Sequence, residues 1–359
     1  MKILFYINAI HEGGAERVVV NLASQFVDYG DDIVLVTSFQ DTWEYQYSSK
    51  VKRYNLEKNG TRGSKFKRNV FRVKELRRIL KLENPDCVVS FMAEPNYRAI
   101  IASLGLKIKT IISVRNDPNR EYSGVIGHFL GKFLLPMANG CVFQTIEAQQ
   151  WFPKRLQDKS EIIYNAVRKD FFEIDRQCIE NTVVTCGRLV EQKNHKLLIE
   201  AFTSVLERYP QAKLFIYGEG KLKDELDNEI RNRKIEDNVS LCGISNRIPE
   251  VLSKAEIFVL SSDYEGMPNA LMEAMAAGVA CVSTDCPCGG PKSLISDKVN
   301  GRLVPVGNSK ALSDVIIELL GNKDITKRMG ENARKRSIEF YPYEINETWY
   351  KYIQNIVGK

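Results

Sequence analysis

Two carboxylates, Glu265 and Glu273, stand eight positions apart in the stretch Glu265-Gly266-Met267-Pro268-Asn269-Ala270-Leu271-Met272-Glu273. The run before them, Glu256 to Ser262, is short and apolar and reads as a buried strand. Pro268 suits the first turn of a helix, Leu271, Met272, Ala274, Met275 and Ala276 continue it, and Gly278 stops it. Glu265 is thereby expected in a loop at a strand's carboxyl end, with Glu273 about two turns into the helix. The amides of Asn269 and Ala270 at the helix start favour an anion such as a phosphate. A carboxylate beside an anion site suits a ligand that carries both a sugar and a diphosphate. Two glutamates on an exposed helix start would also satisfy the dipole, but that reading leaves the apolar Met267-Pro268 context unexplained.

Three other stretches carry groups of the same kind. In Gly13-Gly14-Ala15-Glu16-Arg17, between a first strand and a first helix, the glycines let backbone approach a ligand and the helix amides favour an anion. The pair is not the G-x-G-x-x-G dinucleotide fingerprint, and a plain strand–helix turn is the alternative. In Gly187-Arg188-Leu189-Val190-Glu191-Gln192-Lys193-Asn194, a planar guanidinium and a point-like ammonium flank one loop. Together they would neutralise a diphosphate leaving group without a metal; a solvated basic loop is the bland alternative. The turn Leu241-Cys242-Gly243-Ile244-Ser245 follows a strand at the same carboxyl face and is placed to edge a nucleotide base. Asp263-Tyr264-Glu265 has the outline of a cation-holding Asp-x-Asp, but Glu265 belongs to the longer motif. Cys286-Pro287-Cys288 lacks the His or Cys partners of a zinc site. No metal and no cofactor is expected.

Elements that hold such loops recur along the chain. Strands are predicted at Lys2–Ala9, Asp32–Ser38, Lys52–Asn55, Cys87–Phe91, Thr110–Val114, Cys141–Gln144 and Ile162–Tyr164. A second series runs Thr182–Cys186, Lys213–Tyr217, Val239–Cys242, Ile257–Ser261, Ala280–Thr284 and Arg302–Val306. Helical patterns fall between them, among them Ala15–Tyr29, Lys65–Leu82, Tyr97–Leu104, Ser123–Ala138 and Thr145–Leu156. This alternation, twice over, predicts an α/β protein with two doubly wound, Rossmann-like parallel sheets. The domains are read as 1–167 and 168–340, with a last helix in 341–359.

The glutamate pair with its seven intervening residues resembles the motif of retaining glycosyltransferases of the GT-B fold, family 4 in particular. Gly13–Arg17, Gly187–Asn194 and Tyr217-Gly218-Glu219-Gly220 fit at matching order, so the resemblance spans nearly the whole chain. It implies two domains facing a central cleft, an acceptor-binding one first and a nucleotide-sugar-binding one second, with the last helix crossing back onto the first. Gly14 would approach the donor's phosphates or the acceptor, and Glu16 and Arg17 would face the cleft. Glu273 would hold ribose hydroxyls, Glu265 the transferred sugar, and Gly266, Met267, Asn269 and Ala270 the pocket wall. Relatives often carry a histidine where this chain has Arg115 in Val114-Arg115-Asn116-Asp117. Arg115, Asn116 or Asp117 would replace that sugar contact or meet the acceptor. The implied reaction moves a sugar from a nucleotide sugar, a UDP-sugar first among candidates, to a growing glycan on a polyprenyl diphosphate.

Composition is that of an ordinary soluble chain, 44% hydrophobic and 27% charged over 359 residues. Nothing reaches the length of a membrane span, and the first residues read as a buried strand rather than a leader. Eight cysteines, most in apolar runs, fit a reduced, cytoplasmic protein. The net charge of +6 is concentrated in residues 1–165, with 24 Lys and Arg against 17 Asp and Glu. Thirteen of those bases lie from Lys50 to Lys81, facing only Glu57 and Glu75. An anionic partner follows: a membrane surface, a phosphorylated acceptor or nucleic acid. In the helix Lys65–Leu82 the residues Phe66, Val70, Val73, Leu76 and Leu80 are expected to pack inward. Lys65, Arg68, Arg72 and Lys74 are expected on the outside, at the inner membrane surface or a lipid-linked acceptor. A nucleotide-sugar epimerase of the same fold is the alternative enzyme. RNA binding is disfavoured because no nucleic-acid module is present.

Overall fold

The computed structural model describes residues 1–11, 13–41, 43–57 and 64–358; Lys58 and Arg62 of the basic stretch lie outside them. The chain divides into two compact units, Met1–Ala166 with Tyr343–Lys359, and Val167–Pro342.

The first unit is a seven-stranded sheet in the order β3-β2-β1-β4-β5-β6-β7. Its strands are β1 Lys2–Ile7, β2 Asp32–Thr37, β3 Lys52–Asn55, β4 Cys87–Phe91, β5 Lys109–Ser113, β6 Gly140–Phe143 and β7 Ser160–Ile162. All neighbours pair in parallel. Buried on both faces, such strands read as unbroken apolar runs, and Ile3, Leu4, Phe5 and Tyr6 of β1 are fully buried. One face is covered by helix α1 (Gly14–Asp28) and the C-terminal helix Pro342–Val357. There Trp349 lies 5.5 Å from Phe91, and Tyr352 Oη accepts from Cys141 N at 2.8 Å. The other face packs on α2 (Lys65–Glu83) and α3 (Ala93–Ser103).

The second unit is a six-stranded parallel sheet in the order β10-β9-β8-β11-β12-β13. It is built from β8 Thr182–Cys186, β9 Lys213–Tyr217, β10 Val239–Gly243, β11 Ile257–Leu260, β12 Ala280–Thr284 and β13 Arg302–Val304. The sheet order reverses direction between β8 and β11, which opens a crevice at their carboxyl ends.

Several expectations are corrected. Strand β7 begins two residues before the predicted position. The segment 123–138 is not one helix but a short α turn, a π turn and a 3-10 turn, Gly124–Phe129, Leu130–Leu134 and Leu135–Met137. The helix expected over 145–156 breaks at Pro153, whose ring and missing N–H end it. Pro268 caps the helix Asn269–Ala276 from outside, so Glu273 sits one turn in rather than two. On α2, Phe66 is 77% exposed and Val70 also faces out, whereas Arg72 is 7% exposed. The reason is Glu57, which arrives from the loop after β3. It accepts from Arg72 Nε at 2.7 Å and from Arg68 Nε and Nη2 at 3.1 and 2.7 Å, drawing both guanidinium groups inward. Burial pushes the Glu57 carboxyl up, but the two arginines outweigh it and hold it at about 2. Arg68 and Arg72 are therefore structural ion-pair partners, while Lys65 and Lys74 remain exposed, Lys65 pairing with Glu94 at 3.2 Å.

Candidate active site

At the carboxyl edge of the second sheet three loops are joined backbone to backbone. Gly187 N donates to Tyr217 O, Leu189 N to Glu219 O and Gly218 N to Gly243 O, at 2.9, 2.9 and 2.8 Å. A Cβ on Gly218, whose φ is +144°, would lie 1.9 Å from Gly187 O, so glycine is required for this approach. The approach fixes the Gly187–Asn194 loop over the end of β8.

That loop is then tied across the switch point to the loop after β11. Asp263 N donates to Gln192 O at 2.9 Å, Ser261 Oγ to Lys193 O at 3.0 Å, and Asn194 Nδ2 to Asp263 Oδ1 at 2.8 Å. Asn194, left-handed at φ 42°, also caps the helix His195–Arg208 by accepting from Leu197 N. At the centre Lys193 Nζ meets Glu265 Oε1 at 2.5 Å. The same oxygen accepts from Ser262 Oγ at 2.6 Å, and Gln192 Nε2 stands 3.5 Å from Oε2. Glu265 is 5% exposed and further clamped through its backbone to Pro287 and Cys288. Arg188 is exposed and pairs with no carboxylate among the described residues. His195 lies beneath the loop, held neutral by burial with Lys193's charge adding to the effect, at about 4.

Met267 and Pro268 are buried, with Asn269, Ala270 and Glu273 half-buried at the start of their helix. A Cβ on Gly290 would lie 1.8 Å from Gly266 O, so the Gly266 backbone packs directly on Gly290. Glu273 lies near Cys186 at the end of β8: the thiol is pushed up by burial and then by the charge of Glu273. Gly243 adopts φ +68° and presents Ile244 exposed at the end of β10. The structure thus gathers Arg188, Lys193, Gly243, Ile244 and the Glu265–Glu273 stretch on one sheet edge.

A second group forms at the carboxyl edge of the first sheet. Gly13 precedes α1 and the Glu16 carboxylate folds over it, while Gly14 begins the helix. Arg115, just past β5, is buried, donates to Asn165 Oδ1 and lies 5.6 Å from the Phe91 ring centroid. Burial lowers it to about 9 and the charge of Glu16 opposes this. Asn116 turns on itself, its Oδ1 accepting from Asp117 N at 2.9 Å. Sequence reasoning missed Gln192, Ser262 and Asn194, whose types alone carry no signal. It also missed Glu121, whose Oε1 accepts from Ala93 N at 3.1 Å while burial raises it to about 7.

Two parallel α/β units, the second with a basic–acidic site at its switch point, make up the chain, and comparison with known proteins gives the class. Residues 12–171 match the family described as Glycosyltransferase Family 4, and 167–336 match Glycosyl transferases group 1. A 4-alpha-N-acetylgalactosaminyltransferase of Campylobacter jejuni acting on N-acetylgalactosamine-N,N'-diacetylbacillosaminyl-diphospho-undecaprenol is 27% identical, over 98% of this chain and 99% of its own. A second enzyme of that organism, an alpha-1,4-N-acetyl-D-galactosaminyltransferase for GalNAc-alpha-(1->4)-GalNAc-alpha-(1->3)-diNAcBac-PP-undecaprenol, is also 27% identical, over 99% of each chain. Among solved structures, Anabaena HepE with UDP and glucose superimposes with a TM-score of 0.81 at 18% identity, over 99% of this chain and 100% of that one. The fold is GT-B, and the chain belongs to the family 4 glycosyltransferases.

Proposed function

We propose that this chain transfers a sugar, with retention and without a metal, from a UDP-sugar to a glycan carried on a polyprenyl diphosphate. The reading rests above all on the Lys193–Glu265 pair at the β8/β11 switch point, with the exposed Arg188 on the same loop. In it the second unit binds the donor and the first binds the acceptor. Lys193 and Arg188 take the diphosphate, Glu265 the sugar hydroxyls, Glu273 the ribose and Ile244 the base, while Gly14, Arg115 and Asn116 serve the acceptor side. The acceptor oxygen bonds to the anomeric carbon from the leaving-group face as the carbon–oxygen bond to the diphosphate breaks. The departing phosphate accepts the acceptor's proton. Rate then comes from positioning and from stabilising the charge that develops on the diphosphate. Metal independence is supported by the commitments of the nearby carboxylates: Glu265 to Lys193 and Ser262, Asp263 to Asn194. Lys193 itself brings positive charge to the place a cation would serve. The undecaprenyl-linked acceptors of the two Campylobacter relatives and the UDP bound by HepE support the substrate classes.

The test is incubation with UDP-, GDP- and ADP-sugars, with and without lipid-linked acceptor, in excess chelator. Transfer from a UDP-sugar that needs the acceptor and survives chelation is expected. Conversion of the donor without acceptor would instead indicate an epimerase, and loss of activity restored by magnesium or manganese would overturn the metal-free reading.

A further inference from the structure

The segment between β5 and β6 turns five of its large apolar side chains the wrong way for a core element. Val125, Ile126, Phe129, Phe133 and Met137 are between 50% and 88% exposed. Val125, Ile126 and Phe129 lie on the α turn, and Phe133 and Met137 follow on the π and 3-10 turns. Phe129 and Phe133 pack against each other with tilted rings, centroids 4.9 Å apart, outside the core. The inward side carries Gly131, Leu135 and Pro136, with Gly127 half-buried. A Cβ on Gly127 would lie 2.5 Å from the Tyr122 backbone, and one on Gly131 2.8 Å from the Trp151 ring. Close packing therefore fixes this orientation, and the segment cannot roll over to bury its phenylalanines.

The charge around this stripe selects its occupant. No Asp or Glu occurs from Tyr122 to Ile146, and Lys132 flanks the stripe, its Nζ 4.3 Å from the Trp151 ring centroid. The 130–137 turns pack on α3, and α3 packs on α2, so the three form one helical layer. The outer face of α2 carries exposed Phe66, Val70, Phe71 and Leu82 among exposed Lys67, Lys74 and Lys81. None of those three lysines pairs with a carboxylate among the described residues. Exposed apolar side chains set among bases, with few acids, fit the headgroup boundary of an anionic bilayer. A second copy of the chain would bring its own bases against these.

We infer that residues 124–137 insert their apolar stripe into an anionic membrane surface, with the basic face of α2 as the electrostatic flank. The inference deepens the proposed lipid-linked acceptor reading and rests on it for its biological sense. The test uses the full chain and vesicles of phosphatidylethanolamine with phosphatidylglycerol, or of phosphatidylcholine alone, without acceptor. Both substitutions of Phe129→Ser/Phe133→Ser lie at exposed positions. They should lower flotation with anionic vesicles about tenfold or more, less than two buried rings can supply, with melting temperature and UDP binding unchanged. A Phe129→Trp variant should float like wild type, and its added emission should be quenched by brominated acyl chains. Unchanged flotation of the double serine variant would overturn the inference, as would a tryptophan at 129 that brominated lipid leaves unquenched. So would wild type that forms dimers disrupted by the double substitution yet floats with no vesicle. Transfer to lipid-linked acceptor in detergent separates the two ideas. Wild type that transfers in detergent but never floats overturns the membrane surface and leaves the acceptor standing. Wild type that floats through Phe129 and Phe133 but uses no lipid-linked acceptor supports the surface and removes the acceptor.

Discussion

Replacing Lys193 by alanine should do two separable things. Lys193 and Glu265 side chains are 15% and 7% exposed, and their charged atoms are 2.5 Å apart. Without the ammonium, Glu265 keeps Ser262 Oγ but stays buried with no opposing charge. A buried ion broken in this way costs about 3–5 kcal/mol. In a unit of this size that corresponds to a melting temperature lower by roughly 6–20 °C. The Glu265→Gln exchange on the Lys193→Ala background removes the stranded charge and should return most of that loss. Nucleotide binding should behave differently, because the diphosphate needs the ammonium itself. Loss of one charge-assisted contact, about 1.5–3 kcal/mol, predicts UDP affinity weakened about 10- to 150-fold. The double variant should remain as weak as the single one. Thermal unfolding and titration calorimetry on wild type, both single variants and the double variant give the complete cycle. A double variant with wild-type UDP affinity would refute the reasoning, leaving Lys193 as nothing more than a counter-ion for Glu265.

Two further predictions concern pH. Glu121 is raised from 4.5 to about 7, mainly by burial, so its contribution is fully present below about pH 4.5 and is lost as pH rises through about 7. Glu121→Gln should therefore be more stable than wild type at pH 8 by about 2–3 kcal/mol and nearly equal near pH 4.5, read from urea midpoints. A difference independent of pH would sink this. Glu57 has the opposite sign: held at about 2, it stabilises above its ordinary 4.5 and loses that as pH falls through about 2. Glu57→Gln should cost about 3 kcal/mol at pH 7, and the gap from wild type should narrow steadily below pH 4.5. An unchanged gap at pH 3 would mean that Arg68 and Arg72 do not hold the carboxyl down.

The strands were readable because parallel sheets covered on both faces leave uninterrupted apolar runs, as in Ile257–Leu260 and Ala280–Thr284. Helices were less so where burial overrode pattern. Glycine packing against Tyr122 and Trp151 turned Phe129 and Phe133 outward, which no periodicity signals. Arg72 looked external because its partner, Glu57, comes from outside its helix. At the site, residue types marked Arg188, Lys193, Glu265 and Glu273. The direct meeting of Lys193 with Glu265, and the supporting Gln192, Asn194 and Ser262, depend on two loops some 70 residues apart in sequence being tied across the switch point.

The anomeric configuration of the product tests the central reading most directly. The chain should be given a UDP-sugar and a polyprenyl-diphosphate-linked glycan, and the new linkage read by proton coupling in NMR. Front-face attack at the β8/β11 site predicts the donor's own α configuration; a β-linked product would contradict it.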